Sequence, residues 1–489
     1  MTRSSLLMLV LASSTAAAQQ GDGTDVPASV NTFKPAKVDA SAERVSALKV
    51  PEGFQIRPLA GGLKNPRIIA VAPDGRIYVS RRDQGDVLML EDQDENGDLD
   101  AAPKVVFTRP GAHGLAVANG MLYVATVNDV YRAPIRPDGT LGEEERIIND
   151  LPDGGQHPNR TLAFGPDGML YISVGSSCNA CNETNPEHAT LLRSSPDGKS
   201  RAIFASGLRN TIGFAWDPAS GELWGMDHGI DYLGDEQQPE ELNRIAKGKQ
   251  YGWPHIWGKN GENPQSTPPG MITKKQWAAM SEPMVVGYTA HAAPMQMVFY
   301  TGEQFPATYR GDALVTMRGS WNRKPASGYE VVRVNYQNGT PTGIEPFVTG
   351  FLVDEGRAHI ARPVGLAVTK GGAVLVGDDA NGVIYRVSYG PGSAAAAAAP
   401  KAIPSDVLTK QVAAGSGVPL ALQRIGRIGP LTPVGDPPHH YHFQVLALDT
   451  MLDLKPAATR DEVLAAAKGH VVGGGEVIGT YQQKTAPLK

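Results

Sequence analysis

The sequence predicts an all-β fold, a six-bladed β-propeller, followed by a small C-terminal α/β segment. Three observations point to it. A unit in which an apolar strand meets a Gly- or Asp-centred turn, and then a second strand rich in Tyr, Val and Leu, recurs six times along the chain. Turn positions 74, 119, 167 and 220 are spaced by 45, 48 and 53 residues, close to the period of roughly forty to fifty residues that four-stranded blades require. The 489 residues include 56 Gly and 38 Pro, and abundant turn formers suit many short strands joined by tight loops.

In chain order, residues 1–18 read as a secretory signal peptide. Arg3 supplies a positive charge, Leu6 to Ala12 an apolar run, and Ala16-Ala17-Ala18 a small-residue cleavage site. That run is too short to span a membrane as a stable helix and no later run is long enough, so the mature chain is expected in the periplasm or outside the cell, without stable membrane insertion. Residues 19–46 are polar and contain Pro, a loose lead-in. The propeller is expected over residues 47–389. Its hairpins run through Ile68 to Val79, Gly114 to Val124, Thr161 to Val174, Phe214 to Trp224, a weaker Gly311 to Val315, and Gly365 to Leu375, with Trp253 to Pro294 an insertion able to roof one end. Residues 390–401 form an Ala/Gly/Pro linker. Beyond it, residues 402–489 carry a strand-like run from His442 to Leu448 and an amphipathic helix from Thr459, where Thr459 and Glu462 have capping-box spacing.

Composition narrows the partners. Hydrophobic residues make up 41% of the chain, which supports a folded core, and the formal net charge of -5 gives no basic field for a phosphate backbone, which argues against nucleic acid. The acidic run Asp92, Asp94, Asn96, Asp98, Asp100 around Gly97 has the start of a calcium loop. Pro103 stands where the closing acid belongs, so a solvated hairpin tip is expected.

Chemistry concentrates between Leu151 and Glu183. His157 lies on a Gly- and Pro-rich loop just before one strand, and Cys178 begins the loop after its antiparallel neighbour, so both meet at one end of the sheet. On position alone His157 reads as a surface loop histidine. His113 precedes its own strand in the same way, and two such histidines suggest a lined central funnel. Cys178 and Cys181 are the whole cysteine complement of an exported chain, which points to a disulfide closing a very short loop, either a structural staple or a redox-active bridge. A metal would need further ligands, and a covalently attached haem would want His where Asn182 stands.

The ordered motifs Gly207-Leu208-Arg209-Asn210, Gly225-Met226-Asp227-His228-Gly229-Ile230-Asp231, Tyr251-Gly252-Trp253-Pro254, Gly319-Ser320-Trp321-Asn322-Arg323 and Gly328-Tyr329-Glu330 resemble the soluble quinoprotein sugar dehydrogenases, the glucose and sorbosone dehydrogenase family. The resemblance covers about Lys49 to Val387, and the loop Ser176 to Cys181 is closer to the sorbosone branch. It implies a six-bladed propeller that binds pyrroloquinoline quinone (PQQ) and calcium and oxidises a sugar or related alcohol or aldehyde, passing electrons to an external quinone or cytochrome. It implies His157 as general base and Arg209 as the cation beside the quinone oxygen. His113, Arg160, Asn210, His228, Arg318 and Arg362 fall on the cofactor side, and the backbone carbonyls of Gly229 and Ile230 would hold calcium. Ser176 stands where the glucose branch carries an Asp that orients the base, and Ile230 where a Pro is usual.

The tail resembles part of the bacterial phosphatidylethanolamine-binding proteins, through Pro437-Pro438-His439-His440-Tyr441-His442-Phe443, Gly469-His470-Val471 and Gly479-Thr480-Tyr481. The Asp-Pro-Asp-Ala-Pro run that opens that family's anion site does not occur between Ala394 and Asp436. Two further readings of the propeller stay open at this point: a metal-dependent lactone hydrolase, which needs an inward cluster of acidic side chains, and a non-catalytic binding propeller.

Overall fold

Six four-stranded antiparallel sheets, the blades, lie between Phe54 and Tyr389 in the computed structural model, which describes residues 28–390, 439–448 and 471–481. Their innermost strands are Ile69–Val71, Gly114–Ala118, Thr161–Phe164, Gly213–Trp216, Pro294–Phe299 and Pro363–Val368. Each packs against the next and the sixth returns to the first, so the sheets close into the ring that the repeat predicts.

Residue type follows position in the blade. The second strands Ile77–Arg81, Leu170–Val174, Leu223–Asp227, Ala313–Met317 and Val374–Asp378 are buried along their whole length, because neighbouring blades cover both faces. Outer strands such as Lys104–Thr108 and Glu145–Ile148 expose polar residues to solvent. The inner hairpin of blade 3 pairs Phe164 with Leu170; Gly168 takes φ +71 in the intervening Pro-Asp-Gly turn, a conformation that costs a Cβ-bearing residue far more.

The sixth blade joins both ends of the ring. Its outermost strand is Phe54–Ala60, paired with Val383–Tyr389 so that Phe54 lies opposite Tyr389. Phe54 is buried among the rings of Phe305, Tyr309, Phe347 and Tyr389 at centroid distances of 4.7, 5.0, 5.3 and 4.9 Å.

Three local features depart from the expectations. Trp253 to Pro294 is only partly an insertion: it holds the small pair Ile256–Trp257 and Gly261–Glu262 and the helix Lys274–Met280, but also Val286–Tyr288, the outer strand of blade 4. The inner strand of blade 5 is Pro294–Phe299, whereas the weak Gly311 to Val315 copy belongs to its second strand. The described part of the lead-in is not loose. The Ser29 N–H donates to the Tyr232 carbonyl, Ala36–Lys37 pairs with Ala358–His359, and the helix Ala42–Ser46 buries Val45.

In a second compact unit, His439–Leu448 pairs antiparallel with Val471–Tyr481. The signal peptide, the linker and the helix expected from Thr459 lie outside the described residues.

Phe54→Ala should lower unfolding free energy by about 3–5 kcal/mol, the usual loss for a buried aromatic, as measured by urea denaturation. A chain ending at Gly390 should still unfold in one cooperative transition, since the ring closes without the tail; calorimetry of the truncated protein checks this.

Candidate active site

Within each blade the loop entering the inner strand and the loop leaving the second strand lie at the same end, because the two strands are antiparallel neighbours. That end gathers the residues singled out in the sequence. His113, His157 with Arg160, Arg209 with Asn210, and Arg362 precede the inner strands of blades 2, 3, 4 and 6. Cys178 and Cys181, His228 to Ile230, and Arg318 follow the second strands of blades 3, 4 and 5.

Hydrogen bonds link these loops around the axis. Arg67 of blade 1 donates through Nε to His113 Nε2 of blade 2 (3.4 Å), and His113 Nδ1 to the Arg160 carbonyl of blade 3 (2.9 Å). Ser176 N of blade 3 donates to the Arg209 carbonyl of blade 4 (2.8 Å). His228 Nε2 of blade 4 donates to the Pro294 carbonyl of blade 5, Arg362 of blade 6 to the Arg318 carbonyl of blade 5, and Arg67 to Asp379 of blade 6.

His157 is half-buried. Its Nδ1 lies 3.0 Å from the Ser176 carbonyl and 2.9 Å from Ser176 Oγ, whose own hydrogen goes to the Cys178 carbonyl. A carbonyl only accepts, so Nδ1 carries the proton and Nε2 keeps a lone pair, the form a general base needs. Burial, then the positive charge of Arg209, holds this imidazole well below its ordinary value of 6.5. Gly175 makes room for it: a Cβ there would stand 2.5 Å from the Cβ of His157 and 2.7 Å from Asn210 Oδ1.

Arg209 is buried and saturated on its inner side. Nε donates to the Asn179 carbonyl (3.0 Å), and Nη2 to Asn179 Oδ1 (2.8 Å) and Asp231 Oδ2 (3.0 Å). Its backbone is held by Asp227, whose carboxylate accepts the N–H groups of Arg209 and Asn210 and the Thr211 hydroxyl, each at 2.8 Å. Burial pushes Asp227 up to about 6. Blade 6 repeats the device: Asp378 accepts the Arg362 N–H at 2.8 Å, and burial pushes it up to about 7.

The turn after Asp227 is held from behind. Glu240 accepts the Gly229 N–H, Gln238 Oε1 the Ile230 N–H and Asn179 Oδ1 the Asp231 N–H, each at 2.9 Å. Since N–H and C=O point oppositely across a trans peptide, the carbonyls of Gly229 and Ile230 turn away from these acceptors. Carbonyl oxygens left free of these acceptors suit a hard cation. Beside them, His228 Nδ1 lies 3.4 Å from Asn210 Nδ2, and burial pushes His228 down to about 3.

A cationic wall completes the site. Arg67 and Arg318 both pair with Asp379, and Arg362 lies close enough to favour its ionised form. Burial opposes ionisation of Asp379, yet the charges of Arg318 and Arg67 hold it below the usual carboxylate range. Three guanidiniums facing this carboxylate suit an anionic ligand.

Two residues expected on the cofactor side are turned into the wall instead. Fully buried Arg160 donates to the carbonyls of Val127, His157, Pro152 and Asp153 and so braces the loop carrying His157; His113 has both ring nitrogens engaged as described. The sulfurs of Cys178 and Cys181 are bonded to each other, the disulfide expected from their number. The acidic tip beyond blade 1 is exposed at Asp94, Asp98 and Asp100 as expected, while buried Asp92 accepts the Gly97 N–H. Sequence reasoning missed Arg67, Asn179, Asp227, Gln238, Glu240 and Asp379. An acid ending an apolar strand, as in Met226-Asp227 and Gly377-Asp378, is the signal that could have found Asp227, and Asp378 with its neighbour Asp379.

A family model described as TrAA12-like matches residues 48–390, and a phosphatidylethanolamine-binding protein model matches residues 395–482. An uncharacterized protein of Borreliella burgdorferi is 28% identical over 366 residues, 72% of this chain and 93% of that protein. A pyrroloquinoline quinone-dependent sugar dehydrogenase of Hypocrea jecorina is 24% identical, covering 68% of this chain and 87% of its own. The calcium structure of the Trichoderma reesei family AA12 enzyme has the same fold, with a TM-score of 0.63 at 21% identity, covering 73% of this chain and 99% of that one. The tail is 54% identical over 61 residues to a UPF0098 protein of Pyrococcus horikoshii, 12% of this chain and only 31% of that relative.

Between its lowered folded pKa and 6.5, His157 takes up a proton in the unfolded chain but not in the folded one, so this group reduces stability as pH falls through 6.5. An NMR titration should place its midpoint below 6.5 with the proton on Nδ1; a midpoint at or above that value contradicts the assignment.

Proposed function

The chain belongs to the TrAA12-like family, and from that premise we propose that it is a PQQ- and calcium-dependent oxidoreductase that removes hydride from a sugar or a related alcohol or aldehyde. The observation that carries this reading is the grouping of a neutral imidazole with its Nε2 lone pair intact, a buried guanidinium and a turn whose Gly229 and Ile230 carbonyls face away from its anchoring acceptors, in one set of hydrogen-bonded loops. Relatives named as PQQ-dependent sugar dehydrogenases support it.

When bound, the quinone would supply the hydride acceptor and calcium would polarise it. Gly229 and Ile230 would hold the calcium through their carbonyls, while Asn210, His228, Arg318 and Arg362 would hold the anionic cofactor. His157 Nε2 takes the substrate hydroxyl proton. Its Nδ1–H, fixed on Ser176, prevents the ring from turning, and the absence of a carboxylate at that position leaves the base weak but poised in its neutral form. Arg209 places fixed positive charge where negative charge grows, at no reorganisation cost because Asn179 and Asp231 already hold it. The secretory segment expected from the sequence fits a periplasmic or secreted enzyme, with an external quinone or cytochrome as electron acceptor.

A lactone hydrolase would need inward carboxylates free to bind metal. Asp227 and Glu240 accept from backbone N–H groups, and Asp231 and Asp379 pair with Arg209, Arg67 and Arg318. The wall of cations favours the dehydrogenase.

Purified apoprotein given PQQ and calcium should reduce a dye with one or more members of a panel of aldoses, sorbosone and simple alcohols. His157→Ala should retain quinone binding and lose roughly a hundred- to ten-thousand-fold in turnover. Unchanged turnover in that variant removes the base assignment, and no dye reduction with any substrate by the quinone-loaded protein removes the proposed activity.

A further inference from the structure

The disulfide Cys178–Cys181 closes a four-residue loop whose Cα ends are 6.1 Å apart. Inside it, Asn179 is fully buried and joins three separate segments. Its carbonyl accepts from Arg209 Nε (3.0 Å) and Trp253 Nε1 (3.1 Å). Its Oδ1 accepts from Arg209 Nη2 (2.8 Å) and from the Asp231 N–H (2.9 Å), while its Nδ2 donates to the Asp231 carbonyl (3.1 Å). Cys178, Ile230 and Trp253 pack around the loop, so its place is fixed by apolar contact as well.

One oxygen atom, Asn179 Oδ1, therefore fixes two things. It holds the guanidinium of Arg209, and through the Asp231 N–H it sets the plane of the Ile230–Asp231 peptide, turning the Ile230 carbonyl the opposite way. Gln238 does the same for the Gly229 carbonyl but does not touch Arg209. We propose that Asn179 is a positioning residue that sets the Arg209 cation and the Ile230 carbonyl in register, with the disulfide holding the loop in which it sits. The proposal rests on the calcium and quinone reading above. Partners that orient ligands without binding the metal typically matter tenfold to a hundredfold in metal affinity. A neutral amide suits the position, since it accepts from two donors and donates back to the same turn without adding a second anion beside Arg209.

The test is calcium titration of PQQ-loaded protein followed by quinone absorbance, with thermal melting in calcium-free buffer measured in parallel. Asn179→Ala should bind calcium about ten- to a hundredfold more weakly. Asn179→Asp keeps an acceptor for both donors but loses the Nδ2 donor and sets an oxygen against the Asp231 carbonyl, so its calcium affinity should lie between those of the Ala variant and the unmodified protein. A purely structural role would lower the melting temperature of Asn179→Ala without changing calcium affinity. Unaltered affinity in the Ala variant overturns the proposal; so does an Asp variant that folds yet binds as weakly as expected of the Ala variant, even where the Ala variant proves insoluble. If the unmodified protein binds neither PQQ nor calcium, the cofactor reading falls and the positioning role with it. If it binds both and Asn179→Ala matches it, only the positioning role falls.

Discussion

The circle of hydrogen bonds at one end of the propeller is the constraint on which the rest of the site depends. Arg67, His113, Arg160, Ser176, Arg209, His228, Pro294, Arg318, Arg362 and Asp379 belong to loops of all six blades, and each blade is tied to the next. A propeller's inner strands pack side by side with few backbone bonds between blades, so the loops that cap them must supply the lateral order. Here they do so with buried, directional groups, which leave less freedom than apolar packing alone. The functional groups inherit that order, because the histidines and arginines of the site are members of the circle or its immediate neighbours.

Holding cations in place inside a protein needs counter-groups that do not quench them. Asp231 and Asp379 pair directly with the guanidiniums of Arg209, Arg67 and Arg318, but other acids separate backbone anchoring from side-chain charge. Asp227 and Asp378 grip the N–H groups of Arg209 and Arg362 rather than their guanidiniums, and burial moves both acids toward the neutral range. Glu240, pushed by burial up to about 8, grips Gly229 and Ala293 in the same fashion. Such carboxyls act as hydrogen-bonding frames and add no further ion pair to the guanidiniums. That is the arrangement electrostatic preorganisation requires.

Much of this was legible in the sequence, for reasons of period and connectivity. The hairpin rhythm gives the blades, and antiparallel pairing alone places His157 and Cys178 together at one end of the sheet. Blade 5 was blurred because Pro294–Phe299 follows directly on a long excursion and lacks the turn signal of its neighbours. Sequence order gives the loops of Arg160 and His113 but not the direction of their side chains; four carbonyls inside the wall decide the direction for Arg160. Asn179 could not be recognised at all, since its partners Arg209, Asp231 and Trp253 are brought to it only by the closed fold. The lead-in illustrates the converse: a polar, Pro-containing stretch gains order from the backbone groups of loops it crosses, not from its own propensity.

The pairing of Phe54 with Tyr389 has a temporal consequence. During synthesis the first strand of the sixth blade emerges long before its partner, and its backbone has no pairing strand until the final one arrives. The site draws side chains from blades at both ends of this span, so a partly translated chain holds fragments of the circle and no assembled centre. Maturation is thus tied to the last strand, and every truncation short of it yields an open arc with an unpaired edge.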